Sequence, residues 1–85
     1  MNQDIKKAKD FYKQIEFCLE FWGCDSSKKA AATIYACFAD REKYSFAELI
    51  IKIKKTIELN CKLEQGITSI DITMFILRRY LYYIR

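Results

Sequence analysis

The 85-residue chain has no proline and no histidine, and its only two glycines are Gly23 and Gly66. Proline and glycine are the residues that most disfavour helix interiors, so their scarcity favours long helical segments. Histidine is the usual general base, metal ligand and proton shuttle near neutral pH, and its absence removes the side chain best suited to all three roles. The missing residue types therefore favour a helical fold and weigh against catalysis.

The remaining residue types give an enzymatic function little support. Two isolated glycines cannot form the loop with which nucleotide-binding proteins cradle phosphates. The 11 carboxylates show no recognisable catalytic spacing, and a cysteine nucleophile would have only lysine or arginine nearby to lower its pKa. We expect a protein that is not an enzyme, with no catalytic residues, no cofactor and no small-molecule substrate.

The composition indicates one globular domain over residues 1–85. Hydrophobic residues make up 52% of the chain, aromatic residues 15% and charged residues 31%, which is too apolar for disorder and too charged for a membrane protein. The first ten residues have no apolar run behind their lysines, so we expect no secretion signal and a cytoplasmic location. The apolar content is high for so small a core, and we expect a homo-oligomer, most simply a homodimer.

The four cysteines show no CxxC spacing, and two of them, Cys18 and Cys37, fall on predicted apolar helix faces. Buried, reduced thiols are the expectation that this pattern favours, in keeping with a cytosolic protein. A disulfide is the first alternative. A zinc site is the second, and it would need all four thiolates, Cys24 and Cys61 included, at a spacing that does not favour a preformed site. We expect no metal.

Apolar residues with the helical period predict an all-α fold, a compact four-helix bundle with short loops and no sheet. Helix 1 is predicted over Gln3 to Trp22, helix 2 after an N-cap among Asp25, Ser26 and Ser27, helix 3 from Phe46, and helix 4 from near Ser69 to or near Arg85. The segment from Asn60 to Ile67 is predicted to be a loop.

Local signals mark several helix ends. Gly23 directly follows the last periodic residue of helix 1, where a glycine can adopt the left-handed conformation that closes a helix. Ser45 with Glu48 three residues later predicts a capping box at the start of helix 3. Thr68 and Asp71 form a similar, weaker pair before helix 4.

The apolar stripes predict the core. They comprise Ile5, Ala8, Phe11, Tyr12, Ile15, Cys18, Leu19 and Trp22 on helix 1, Ala30, Ala31, Ile34, Cys37 and Phe38 on helix 2, Phe46, Leu49, Ile50, Ile53 and Ile57 on helix 3, and Ile72, Ile76, Leu77, Tyr80, Leu81, Tyr83 and Ile84 on helix 4.

Aromatic residues outside these stripes indicate a surface for a partner. Phe17 and Phe21 lie four residues apart on the polar side of helix 1, and helix 4 has a second stripe of aromatic residues and arginines. These residue types dominate binding hot spots. The predicted partner-binding residues are Phe17, Phe21, Phe75, Arg78, Arg79 and Tyr82. The alternative is that helices 1 and 4 contact neighbours on two sides and bury all of these aromatics.

We therefore expect a small protein–protein interaction module. Its most concrete form is an accessory or inhibitory protein of the kind that phages and mobile elements encode, which docks on a larger host assembly and occludes a surface of it. The formal charge of +4 argues against imitation of nucleic acid by an acidic surface and favours an acidic or apolar protein patch as the target.

A basic nucleic-acid-binding protein or small ribonucleoprotein subunit is the main alternative. Its phosphate contacts would come from Lys52, Lys54, Lys55, Arg78, Arg79 and Arg85. Residues 58–77 match a helix-turn-helix only weakly, because Lys62 and Gln65 stand where that motif has a small and an apolar residue. A purely structural homo-oligomer is a third alternative.

Overall fold

The computed structural model describes residues 2–63 and 66–83, with side chains for residues 5–63 and 66–82. These residues form four α-helices, α1 (Asn2–Phe21), α2 (Ser27–Ala39), α3 (Phe46–Asn60) and α4 (Ser69–Tyr83), with a short 3-10 helix (Arg41–Lys43) between α2 and α3. No strand occurs in this part of the chain, and the predicted all-α four-helix bundle is confirmed. The predicted continuation of helix 4 to Arg85 lies outside the described residues.

The end of α1 has the backbone geometry that its glycine predicts. Gly23 has a φ of 79°, in the left-handed region that side chains with a Cβ rarely adopt. Its N–H donates to the Glu20 carbonyl at 3.1 Å, and the Cys24 N–H donates to the Leu19 carbonyl at 2.9 Å. These are the two hydrogen bonds of a Schellman motif, which turns the chain sharply toward α2.

Side chains cap the starts of α3 and α4 as predicted. The Glu48 N–H donates to Ser45 Oγ, and the Ser45 N–H donates to Glu48 Oε1, both at 3.2 Å. At α4, the Thr68 N–H donates to Asp71 Oδ2 at 3.1 Å and the Asp71 N–H donates to Thr68 Oγ1 at 3.2 Å. Ser26 occupies the N-cap position of α2, but its side chain accepts no capping hydrogen bond.

The helices form a ring in chain order, because α1 packs on α2 and α4, and α3 packs on the same two helices. An aromatic cluster joins three of them. Phe38 of α2 stacks on Tyr80 of α4 with ring centroids 4.6 Å apart, and Phe11 of α1 meets Phe38 edge-on at 5.1 Å. The largest buried aliphatic side chains are Ile15, Leu19, Ile34, Ile53, Ile57, Ile72 and Ile76. Each of them lies on a predicted apolar stripe.

Among the residues of the predicted stripes whose side chains the structure describes, three are exposed. Ile5, Phe46 and Leu81 are all more than half exposed, so their assignment to the core is wrong. Helical periodicity gives the side of a helix on which a residue lies, but not where along that helix its neighbour stops covering it. Ile5 and Phe46 lie in the first turns of α1 and α3, and Leu81 lies in the last turn of α4. The side chains of Tyr83 and Ile84 lie outside the described residues.

Two of the four cysteines are joined in a disulfide, Cys24 to Cys61, with their Cα atoms 4.2 Å apart. The expectation of reduced thiols is therefore wrong for this pair, whereas Cys18 and Cys37 are free. The ends of α1 and α3 meet at one end of the bundle, and this brings together residues 37 positions apart in the sequence. The cysteines consequently no longer support the predicted cytoplasmic location.

None of the helices in the described residues combines the length and the apolar character that crossing a membrane requires.

Candidate protein-binding surfaces

The two phenylalanines on the polar side of α1 lie on the surface. Phe17 is 64% exposed and Phe21 is 69% exposed, so the alternative that they belong to the core is wrong for this chain. Phe21 lies edge-on against the half-buried Trp22, with ring centroids 4.9 Å apart. Edge-on packing is a favourable geometry for two aromatic rings, so this contact supports the position of the Phe21 ring.

Aromatic side chains of α4 are also exposed. Tyr82 is 77% exposed and Phe75 is 40% exposed. The guanidinium of Arg79 lies over the Phe75 ring, 4.9 Å from its centroid. A guanidinium stacked on an aromatic ring forms a flat contact area with a positive charge.

The predicted stripe on α4 divides between two sides of the helix. The positive charge of Arg79 lies close enough to Cys18 of α1 to act on its pKa, so Arg79 lies on the side of α4 that faces α1. Arg78 instead lines a groove that α4 forms with α3. The two arginines therefore belong to different surfaces, because neighbouring residues on a helix are turned by about 100°.

Phe17 and Phe21 lie on the exposed side of α1, beyond the residues that contact α4. Tyr12 is on the α2 side of α1, where its hydroxyl donates to the Lys28 carbonyl at 3.4 Å, and Cys18 is on the α4 side. Successive residues are turned by about 100° around a helix. Phe21 therefore lies beyond Cys18 on the side away from Tyr12, and Phe17 lies further round in the same direction. We call the exposed aromatic residues of α1 and α4 outside the apolar stripes, together with Arg79, the aromatic surface: Phe17, Phe21, Phe75, Arg79 and Tyr82.

A groove on the other side of α4 was not predicted. It has a volume of about 360 Å³ and lies between the 3-10 helix, the start of α3 and the last three turns of α4. Its lining residues are Arg41, Phe46, Leu49, Met74, Leu77, Arg78, Tyr80 and Leu81. The misassigned core residues Phe46 and Leu81 form part of this lining. The assignment of Leu77, Tyr80 and Leu81 to one apolar side of helix 4 was the sequence signal that pointed to it.

Arg41 and Arg78 are the two charged residues of the groove. Arg41 is held in place, because its Nη1 donates to the Phe38 carbonyl at 3.0 Å and its guanidinium lies 5.7 Å from the centroid of the Tyr80 ring. Among the described residues, no carboxylate forms an ion pair with either arginine. The groove therefore combines an apolar lining with unneutralised positive charge.

The lysines proposed for the nucleic-acid alternative do not all lie on one side of α3. Lys52 lies over the Tyr44 ring, 4.9 Å from its centroid, and its charge also reaches Cys37 of α2. Lys54 lies on the opposite flank of α3, where it pairs with Glu58 at 3.3 Å. Lys55 is exposed between these two flanks, three residues from Lys52, so Lys54 lies apart from the other two lysines. Arg85 lies outside the described residues.

Glu58 ties α3 to α4 through its hydrogen bond with Ser69. The Ser69 hydroxyl donates to Glu58 Oε2 at 2.9 Å. That hydrogen bond, together with the Lys54 ammonium, lowers the pKa of the Glu58 carboxyl, because both stabilise its charged form. Lys54 is thus engaged with a neighbouring carboxylate at the α3–α4 contact.

The two free cysteines lie in surroundings that keep them protonated. Burial raises the pKa of Cys18 to about 11 despite the opposing charge of Arg79. Burial also raises the pKa of Cys37. A thiol nucleophile needs the opposite shift. Within the described residues, no group of three or more Cys, Asp or Glu side chains is placed to hold a metal ion.

Comparison of the chain with protein-family models, with curated proteins and with solved structures finds no match. The fold places the chain in the broad class of small all-α four-helix proteins, and that class has no single activity. The features of this chain that bear on its function are therefore the aromatic surface and the groove.

Proposed function

We propose that this chain is a protein–protein interaction module that binds its partner through the aromatic surface. The observation that carries the proposal is the exposure of Phe17, Phe21 and Tyr82 on a bundle whose core is filled without them. Burying one such ring in an interface gains about 1.5–3 kcal/mol from the apolar area removed from water. Aromatic side chains and arginine on rigid helices also lose little conformational entropy when they bind.

In its most concrete form, the module is an accessory or inhibitory protein of the phage or mobile-element type that covers a surface of a larger host assembly. Its small size and lack of an evident catalytic cluster in the described residues suit this role. The net charge of +4 suits a target with an acidic or apolar patch.

The double variant Phe17→Ser/Phe21→Ser tests the aromatic surface. Since both rings are exposed, we expect little change in melting temperature and loss of the protein partner in affinity capture followed by mass spectrometry. Leu59→Ser is the matched control, because Leu59 is a large apolar residue on α3 that is 85% exposed. Unchanged capture by the double variant, or equal loss with Leu59→Ser, would contradict the proposal.

A salt titration separates this function from phosphate binding. Capture through the aromatic surface is expected to change little with salt, because apolar contacts are not screened. Phosphate contacts would weaken binding by close to one logarithmic unit per contact for each tenfold rise in salt. A steep slope, together with nuclease-sensitive capture, would favour the nucleic-acid alternative.

A further inference from the structure

We infer that the groove formed by the 3-10 helix, α3 and α4 binds an amphipathic helix of a partner protein, with leucine-like residues on its apolar side and Asp or Glu along its edges. This inference deepens the proposed function and rests on the chain being a protein-binding module. The groove does not include Phe17 or Phe21, so the two proposals can be tested with different variants.

The shape of the lining favours a helix as the occupant. Met74, Leu77 and Leu81 follow one another at helical spacing along α4, and the stretch they cover is about 10 Å long at 1.5 Å per residue. Phe46 and Leu49 of α3 form the opposite wall. An elongated apolar groove between two helices accepts residues at positions i, i+4 and i+7 of a third helix.

The volume of the groove suits a few apolar side chains of a partner helix. At about 360 Å³, it lies near the lower end of the roughly 300–1,000 Å³ typical of binding pockets. Among the described lining residues, the polar side chains are Arg41, Arg78 and Tyr80. A small molecule with several polar groups would find few partners there.

The positive charges at the groove favour acidic residues along the edges of the helix that binds there. Arg41 and Arg78 lie at the groove without a described carboxylate beside them, and Arg41 is held by the Phe38 carbonyl and the Tyr80 ring. A fixed guanidinium gives a carboxylate two parallel donors at little entropic cost. Acidic residues on a partner helix would neutralise both arginines.

The same charges disfavour a second copy of this chain as the occupant. A twofold dimer closed over this groove would bring Arg41 and Arg78 of both copies to one apolar seam. Like charges opposed across an interface cost binding energy. The preferred occupant is therefore an acidic helix and not a basic copy of the chain itself.

A labelled model helix tests the inference. The probe is a fluorescein-labelled peptide of about 18 residues, long enough to form a helix, with leucines at i, i+4 and i+7 positions and glutamates along both edges. The matched peptide has lysines in place of the glutamates. Fluorescence anisotropy with the full chain is expected to show at least about tenfold tighter binding of the glutamate peptide, a difference of about 1.4 kcal/mol.

Matched variants separate groove binding from general attraction to a basic protein. Arg78→Glu and Lys55→Glu make the same change in net charge, but only Arg78 lines the groove. We expect Arg78→Glu to weaken binding of the glutamate peptide by at least about tenfold. Lys55→Glu is expected to weaken that binding by less than about twofold. Leu81→Ser is expected to weaken it similarly to Arg78→Glu without lowering the melting temperature, because Leu81 is mostly exposed.

Several results would overturn the inference. Equal effects of Arg78→Glu and Lys55→Glu would show that only net charge matters. A dimer in sedimentation velocity that Leu81→Ser dissociates would assign the groove to a second copy. If the glutamate peptide fails to bind while Phe17→Ser/Phe21→Ser still abolishes capture, the groove inference fails and the proposed function stands. Peptide binding with unchanged capture by that double variant would support the groove and reject the aromatic surface.

Discussion

Helices α2 and α4 each pack against two neighbours, yet they use their apolar residues differently. The buried side of α2 combines small and large residues, with Ala30, Ala31 and Ile34 fully enclosed, and none of its 13 residues is an exposed large hydrophobic. In α4 the exposed large hydrophobics are Ile70, Met74, Phe75, Leu81 and Tyr82. The apolar content of α2 is used by the fold, whereas that of α4 exceeds what the fold buries.

This difference locates the surfaces available for binding. Alanines allow the neighbours of α2 to approach closely and cover its apolar side. Larger side chains on α4 extend beyond its contacts with α1 and α3, so that both flanks of the helix keep apolar area in water. An exposed apolar patch is costly in a soluble monomer, and such patches commonly mark interaction sites.

The largest expected loss of stability comes from opening the loop that the disulfide closes, which contains α2 but not α4. The Cys24–Cys61 disulfide spans 37 positions, and its removal in Cys24→Ser/Cys61→Ser is expected to lower the free energy of unfolding by about 4 kcal/mol from loop entropy. Urea denaturation measures the loss. An unchanged free energy of unfolding would contradict a covalent link between Cys24 and Cys61.

Truncation of one aliphatic residue in each helix tests the contrast directly. Ile34→Ala in α2 empties a fully buried site and is expected to cost about 3 kcal/mol. Leu81→Ala in α4 is expected to cost less than about 0.5 kcal/mol, because the side chain is mostly in water. Thermal or urea unfolding of both variants gives the comparison. Similar losses would mean that α4 contributes to the core as fully as α2.

The helix caps are expected to show a smaller difference in stability between α2 and α4. Thr68→Ala at α4, and likewise Ser45→Ala at α3, removes a hydrogen bond from side chain to backbone and is expected to cost about 1 kcal/mol. Ser26→Ala at α2 is the control, since the Ser26 side chain makes no capping bond. A loss with Ser26→Ala equal to the other two would contradict the assignment of caps.

The smallest expected effect is a difference in thiol reactivity. Cys18, whose pKa burial raises to about 11, is expected to react with iodoacetamide more slowly than the half-buried Cys37 of α2. Mass spectrometry of the labelled chain over time measures both rates. Faster labelling of Cys18 would contradict its burial against α4.

The raised pKa of Cys18 also sets the sign of a pH effect. A thiol ionises near its ordinary value of 9.0 when the chain is unfolded and only near 11 when it is folded. The unfolded state therefore loses its proton first. The contribution of Cys18 to stability is complete below the lower pKa and is lost as the pH rises through the higher one.

Much of the bundle could be predicted because the signals involved are local. Gly23 marks the end of α1, the Ser45–Glu48 pair marks the start of α3, and both depend on residues within one turn of the helix. The buried stripe from Phe11 to Leu19 follows from periodicity alone. Phe17 and Phe21 were placed correctly outside that stripe, and their exposure follows once α1 has neighbours on one side only.

Other features depend on which helix ends meet in space. Periodicity assigned Phe46 and Leu81 to the core, but they line a groove because the ring of helices is not filled at that level. The disulfide joins residues that no local pattern connects. The division of Arg78 and Arg79 between two surfaces likewise depends on the positions of α1 and α3 around α4.

The amino-acid sequence by itself determined the helices, their caps and most of the core, because hydrogen bonds within a turn and the side on which an apolar residue lies are properties of neighbouring residues. Only the tertiary structure decided the disulfide, the groove and the division of Arg78 and Arg79 between two sides of α4. Those features depend on the register and crossing of separate helices, which the packing of the whole core sets.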